Sequence, residues 1–395
     1  EPAGLSFVRC ASIAFDCISS HAPSRLHSWD VTPDSPTPPA FANFSDCTHR
    51  VARVFRLLGA LISVLFAIAV AVVTWPQFFR LEHTFPFAQI VALRGVLVLG
   101  LAIIALVFLL LSIARPIRAF ALAMTLIAVL GAGTGGAIMF SRGLGDDTLP
   151  AQTATSLRVM TWNTMGEATP IATIANAAVA MDADILSLPE TNEFTGEAVA
   201  VAMREMGRPM WVLHVNLAPE VKKGPDAWTT TMLISPDLGD YSVIQSSTDG
   251  SSNTSTVPSA VAMPVNGNGP IVVAVHAVSP REDYMDKWRD DLRWLGDQCA
   301  DANVIMAGDF NATVDHMAGF GVDGATLGRC RDAASDTGNG AVGTWSTEFP
   351  ALLGAPIDHV MYSTHWKPTG SVVLRSFDQT GSDHRPVVVQ LEPVD

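Results

Sequence analysis

Three apolar runs near the amino end limit what this chain can fold into more than any other feature. They cover residues 57–75, 95–114 and 119–140. Each is close to the ~20 residues that a helix needs to cross a bilayer. Their flanks are charged and their interiors are not. Arg50, Arg53 and Arg56 precede the first run, and Pro76 follows it; Arg115 and Arg118 precede the third. Three such runs in succession predict transmembrane helices and not the core of a soluble domain. Trp75, Phe78 and Phe79 suit an interfacial belt. Arg50, Arg53, Arg56, Arg115 and Arg118 fall on one side of these spans, and Arg80, Arg94 and Arg142 on the other. The bias places the amino end in the cytoplasm and everything after Phe140 outside it. Gly131, Gly133 and Gly135 would let two helices approach closely, although small-residue runs are commonly filler.

Composition divides the chain the same way. Hydrophobic residues make up 49% of it, but unevenly. Residues 51–140 hold one acid, Glu82, whereas residues 155–395 hold 30 Asp and Glu against 14 Lys and Arg. That balance argues against binding nucleic acid through a broad basic surface. It leaves room for a small metal site, where a bound cation changes the local sign. Residues 1–49 show no periodicity, and their TPDSPTPPA stretch cannot join helix or sheet ladders. A disordered segment is expected there. The spacing of Cys10, Cys17, Cys47, Cys299 and Cys330 matches no zinc motif. Cys299 and Cys330 can pair in an oxidising compartment; two free thiols are the alternative.

Four parts are expected: the disordered residues 1–49, a three-helix region over 50–140, a linker over 141–156 and a globular domain over 157–395. In the domain, periodicity predicts helices over 171–181, 196–206 and 282–300. Strands are predicted over 157–161, 185–188, 211–214, 230–235, 241–245, 257–263, 271–275, 304–307, 357–362 and 386–391. Strands outnumber helices, and several are adjacent in sequence. That favours sheets packed on each other with helices outside over a doubly wound parallel sheet.

One grammar recurs: an apolar strand with a polar residue at its end. It delivers Asn163 after RVMTW, Glu190 after ILSLP, His276 after IVVAV, and Asp309 and Asn311 after VIMAG. It also delivers Asp358 in PIDH, and Asp383 and His384 in GSDHRP. Any one of these could be an ordinary turn residue; Asp309 and Asn311 alone would suit an Asx-type turn. Six such termini carrying only Asn, Glu, Asp and His predict one shared site. Oxygen ligands such as Glu190 and Asp383 suit Mg²⁺ or Mn²⁺. Asp309 or His384 could activate a water, His276 and Asn311 could donate to developing charge, and Asp358 could orient His384. His359 should face away from Asp358 and be structural. His214, His316 and His365 are expected at the surface. Trp288 and Trp294 cannot share one helix face.

The order WN, PE, H, GDFN, IDHV and SDHRP resembles the endonuclease/exonuclease/phosphatase superfamily over residues 157–391. The resemblance implies a four-layer α/β sandwich of two packed mixed sheets, here preceded by the three transmembrane helices. It implies that Glu190 is the main metal ligand with Asn163 and Asp383 nearby, and that Asp309 orients or deprotonates water. Asn311 and His276 would contact phosphate, and Asp358 and His384 would form an Asp–His pair. Pro189 stands where many members have Gln, with the glutamate kept. Lys222 and Lys223 are too few to mark a nucleic-acid or inositide site. The expected activity is a membrane-anchored, divalent-metal-dependent phosphoesterase on phosphodiester or phosphomonoester bonds outside the cytoplasm. Its substrate could be nucleic acid or a phospholipid or sphingolipid. The anchor keeps the site near the lipid bilayer, and the acidic surface weakens the nuclease case. A non-catalytic membrane sensor or scaffold retaining the fold is the other reading, and the complete residue set speaks against it.

Overall fold

A computed structural model describes residues 44–217, 224–244 and 253–394. Most of the expected disordered segment lies outside them, as do Lys222 and Lys223. The chain divides into two compact units, Glu1–Phe66 and Ala67–Asp395. The described part of the first belongs to helix α1 (Phe44–Thr74), which leaves Leu57, Leu58, Leu61 and Leu65 exposed. The second holds the rest.

Among the described residues, three helical stretches are long and apolar enough to cross a membrane: Ala52–Thr74, Arg94–Leu111 and Arg115–Arg142. Each overlaps one predicted run, and together they suggest membrane association. After the short α2 (Phe87–Ala92), α3 (Arg94–Leu111) and α4 (Arg118–Arg142) form a hairpin. Their outward faces expose Leu106, Leu109, Leu110, Leu126 and Leu130. A helix that is apolar all round needs a core or a bilayer to cover it. Gly131 and Gly135, one turn apart on α4, are buried. A Cβ at Gly131 would overlap Val70, and one at Gly135 would come within 2.7 Å of Val98. Gly131 and Gly135 are therefore contact positions and not filler, whereas Gly133 faces open space.

The described residues of the carboxyl-terminal domain form two six-stranded mixed sheets. The first runs β11 (Trp366–Val373), β12 (Val387–Pro393), β1 (Leu157–Thr161), β2 (Ile185–Pro189), β4 (Thr229–Ile234), β3 (Trp211–Asn216). The second runs β5 (Tyr241–Val243), β6 (Ala260–Pro264), β7 (Ile271–His276), β8 (Val304–Asp309), β10 (Asp358–Tyr362), β9 (Arg331–Asp332). Alternation along each strand sorts side chains into layers. Leu157 and Val159 of β1 join Val272, Ala274, Ile305 and Ala307 between the sheets. Met160 faces outward onto α5 (Ile171–Ala180) and α6 (Glu193–Glu205). Val273, Val275, Val304 and Met306 pack against α7 (Met285–Gln298) on the opposite side. The result is the predicted order of helices, sheet, sheet and helices.

The parallel pairs are β1–β2 and β7–β8, one in each sheet. Hence β1 and β2 end at one edge of the first sheet, and β7 and β8 at one edge of the second. Strand β12, antiparallel to β1, and β10, antiparallel to β8, start at those edges. Packing of the sheets brings the two edges together, with Asn163 Nδ2 3.2 Å from Asp309 Oδ2.

Several local expectations shift. The strand predicted over 257–263 begins at Ala260, and the one predicted from Tyr241 ends at Val243. Strand β11 is absent from the prediction because Pro368 and Gly370 flank a register shift that hides its alternation. Residues 143–156 carry no helix or strand, yet they are stitched to the domain. Gly145 N–H donates to Gly338 O at 3.1 Å and Ala341 N–H to Gly143 O at 3.1 Å. Cys299 and Cys330 form a disulfide with Cα atoms 5.8 Å apart.

Candidate active site

Register places three site residues in a row. Asp309, the last residue of β8, lies opposite His276 on β7 and opposite Asp358 on β10. Gly308 is needed just before it, because a Cβ there would overlap the Val275 carbonyl. All eight predicted residues meet around this row.

Asp309 is buried. Its Oδ1 accepts from Asn311 N–H at 2.8 Å, and its Oδ2 accepts from Asn163 Nδ2 and Asn311 Nδ2, both at 3.2 Å. Burial first, and the Asp358 charge second, push its carboxyl up to about 7. Asn163 Nδ2 also reaches Glu190 Oε1 at 3.2 Å, while its Oδ1 accepts from Met165 N–H at 3.0 Å. The turn role and the site role therefore coexist in Asn163. Glu190 and Asn311 adopt left-handed φ of 59° and 46°. Such φ is uncommon for non-glycine residues, and it turns both side chains off their strand ends.

Asp358 Oδ2 accepts from His384 Nδ1 at 2.8 Å, leaving His384 Nε2 at 3.9 Å from both Asp309 Oδ2 and Asp383 Oδ1. Burial opposes charge on His384, but Asp358 above all, then Asp309, pushes it up to about 10. His276 goes the other way. Burial, then the nearby His384, pulls it down to about 3, so it is neutral near pH 7. Its Nε2 stands 3.7 Å from Glu190 Oε1, and its buried Nδ1 has no hydrogen-bond partner among the described residues.

Two groups of residues could hold a cation. Asp309, Asp358 and His384 offer ligand atoms within 4.8 Å of one another. His384 Nδ1 is already taken by Asp358, however, and the arrangement suits proton handling better. Glu190 and Asp383 are the more open carboxylates, with side chains 26% and 41% exposed. Burial raises the Glu190 pKa first, and the Asp383 charge raises it further. Two carboxylates that repel across an open position fit a hard divalent cation. Asn163, whose Nδ2 faces Glu190 and whose Oδ1 is taken by Met165 N–H, presents no ligand oxygen there in this arrangement.

Sequence reasoning missed the supports. Trp345 Nε1 donates to Asp383 Oδ2 at 2.9 Å, Trp162 Nε1 donates to His384 O at 2.9 Å, and Ser382 Oγ donates to Asn163 O at 2.6 Å. A lone tryptophan in a loop carries no periodic signal. Trp288 is fully buried and donates to Asn311 O at 3.0 Å, whereas Trp294 is only partly buried. His359 is structural: Asp332 Oδ1 pairs with its Nδ1 at 2.9 Å, and Ala312 O accepts from its Nε2 at 2.9 Å. His365 is exposed and His214 half-buried. His316 is not at the surface as expected but fully buried. It caps α8 (Val314–Met317), its Nδ1 accepting from Thr313 N–H at 2.8 Å and its Nε2 donating to Ala88 O at 3.0 Å. The segment that covers it is more than 200 residues away in sequence.

Two mixed sheets thus carry a cluster of carboxylate, carboxamide and histidine side chains at one edge. The profile of the Endonuclease/Exonuclease/phosphatase family matches residues 160–384, and the chain belongs to that family. Among solved structures, it is similar to an endonuclease/exonuclease/phosphatase from Beutenbergia cavernae DSM 12333. Identity is 17%, coverage is 61% of this chain and 72% of that one, and the TM-score is 0.46. A mannosyl-6-phosphatase from Bacteroides thetaiotaomicron VPI-5482 is 14% identical over 60% of this chain and 99% of its own, with a TM-score of 0.42. Truncated TDP2 from Caenorhabditis elegans is 17% identical over 61% and 100%, with a TM-score of 0.42. Comparison with curated protein sequences gives no match.

Proposed function

We propose that this chain is a membrane-anchored phosphoester hydrolase that depends on a divalent cation and works outside the cytoplasm. The observation that carries the reading is the Asp309 carboxylate. It is held by Asn163 and Asn311, poised near neutral pH, and faces His384 across 3.9 Å. A base with a pKa near the working pH combines availability with driving force. In this mechanism Asp309 orients a water and takes its proton. Neutral His276 donates to the phosphate oxygens, and Asp358 keeps His384 protonated toward the same space. Asn311, expected to contact phosphate, spends both Nδ2 hydrogens on Asp309 Oδ2 and on Ala277 O, at 3.2 and 2.9 Å, and holds the base instead. Glu190 and Asp383 would hold Mg²⁺ or Mn²⁺, which when bound neutralises phosphate charge.

One finding supports the orientation. The disulfide agrees with an oxidising compartment. A lipid-phosphoester substrate is favoured over nucleic acid by the apolar helices and the acidic domain.

The test uses the full chain in detergent micelles. With Mg²⁺ it should hydrolyse at least one of bis-(p-nitrophenyl) phosphate, p-nitrophenyl phosphate and short-chain phospholipid, and EDTA should stop it. Turnover that survives EDTA would remove the cation from the mechanism. Absence of turnover across that panel and DNA would favour the sensor or scaffold reading.

A further inference from the structure

The segment that follows Asp309 is gripped from the direction of the apolar helices. Asp315, the second residue of α8, is buried, and three side chains converge on it. Gln77 Nε2 donates to Oδ1 at 2.7 Å. Arg94 donates to Oδ2 from Nη2 at 2.8 Å and from Nε at 3.2 Å. Arg142 donates to Oδ2 and Oδ1 at 2.8 and 2.7 Å. Arg94 opens α3 and Arg142 closes α4, and Arg94 Nη1 also donates to Thr74 O, at the end of α1, at 3.1 Å. One carboxylate thus ties together the domain-side ends of all three apolar helices.

The neighbouring contacts run the same way. His83 Nε2 donates to the His316 carbonyl at 2.6 Å, and His316 Nε2 donates to Ala88 O. A Cβ at Gly95 would overlap the Leu352 carbonyl, so α3 begins flush against the domain. From Asp315 the path to the chemistry is four residues long. Thr313 N–H is fixed by the His316 ring, and Asn311, in its left-handed conformation, holds Asp309. Burying three charges in one cluster seldom adds net stability, because desolvation offsets the attraction; what such a cluster supplies best is a defined geometry. An anchor alone would need only apolar contact.

We infer that Asp315 is a positioning residue: through it Arg94 and Arg142 fix the segment bearing Asp309 and Asn311, so the membrane helices set turnover as well as location. The inference rests on the proposed role of Asp309. Misplacing a reacting group by about 1 Å can cost on the order of 100-fold in rate.

The experiment compares the full chain in detergent micelles with its Asp315→Asn, Arg94→Gln and Arg80→Gln variants and the Asp315→Asn/Arg94→Gln double variant. The probe is bis-(p-nitrophenyl) phosphate with Mg²⁺, and amide hydrogen exchange is followed in parallel. Asp315→Asn should lower kcat roughly 10- to 100-fold with KM within about twofold. The double variant should be no worse than Asp315→Asn, because the two residues act as one unit. Arg80→Gln, an exposed cation on the same connecting segment, should behave as wild type. Exchange should speed up over residues 310–317 and stay unchanged over strand β7. Wild-type kcat in Asp315→Asn would overturn the inference. So would faster exchange throughout the domain, which would mean a general loss of stability. If the wild type turns over none of the probes, the proposed function fails on its own, and unchanged exchange over 310–317 still overturns the positioning role.

Discussion

Strand β10 carries two Asp–His pairs back to back. Asp358 pairs with His384 at 2.8 Å on one face, and the next residue, His359, pairs with Asp332 at 2.9 Å on the other. In both, a buried carboxylate faces a buried imidazole Nδ1. They differ at the second ring nitrogen. His359 Nε2 is bound to Ala312 O at 2.9 Å, whereas His384 Nε2 is 3.9 Å from two carboxylates and bound to neither. Pairing with aspartate does not make a histidine reactive; an uncommitted nitrogen facing an open position does.

The contrast can be broken most directly by mutation. His384→Ala, or Asp309→Ala, should reduce kcat by about 10²- to 10⁴-fold, while His359→Ala should leave kcat within severalfold. His359→Ala should instead lower the unfolding free energy by about 3 kcal/mol, since it strands the buried Asp332. Turnover of bis-(p-nitrophenyl) phosphate and denaturant unfolding measure the two. Equal kcat losses in both histidine variants would abolish the distinction.

A smaller effect is expected at the open side of the site. Glu190→Gln should raise the Mg²⁺ concentration needed for half-maximal activity by at least roughly 10- to 100-fold, the loss that follows when a ligand is kept but a group that orients it is removed. Asp332→Asn should leave that requirement alone. A Mg²⁺ titration of activity decides, and an unshifted midpoint in Glu190→Gln would move the cation elsewhere.

The smallest effect is a pH dependence confined to the inner pair. Burial would lower the His359 pKa, but Asp332 outweighs it and the net shift is upward. Its stabilisation is complete below the unfolded value of about 6.5 and fades as pH rises through the folded one. Burial would raise the Asp332 pKa, but His359 outweighs it and the net shift is downward. Its stabilisation is complete above about 3.9 and fades as pH falls. The stability difference between wild type and Asp332→Asn should therefore be largest between about pH 4 and 6.5 and shrink toward pH 9. A difference that stays flat over that range would mean that the pair is not ionic.

What could be read from the sequence follows from the range of the interactions involved. Apolar runs and strand alternation are local, so the three helices, most strands and the polar strand ends were legible. Those strand ends supplied the residue set, and the family resemblance added the role of each residue and the four-layer form of the sandwich. Supports that act across the chain were not legible. Asp315 sits in TVDHM with no pattern to mark it, and its partners lie 221 and 173 residues away. His316 looked like a surface residue because nothing nearby in sequence covers it. Trp345 and Trp288 are isolated aromatics whose value lies in one N–H each. Strand β11 was hidden by its own irregularity at Pro368 and Gly370.

The Asp315 cluster also has a consequence in time. A ribosome makes Arg94 and Arg142 first, and 173 positions separate Arg142 from the carboxylate that neutralises it. While those residues are still being added, both guanidinium groups have no Asp315 to meet, and long side chains at helix ends reach toward the water–lipid boundary. The helical hairpin is therefore written early and completed late. Its electrostatic partner arrives only after strand β8 has been synthesised, so the polar contacts of the apolar hairpin wait for the domain that follows it in sequence.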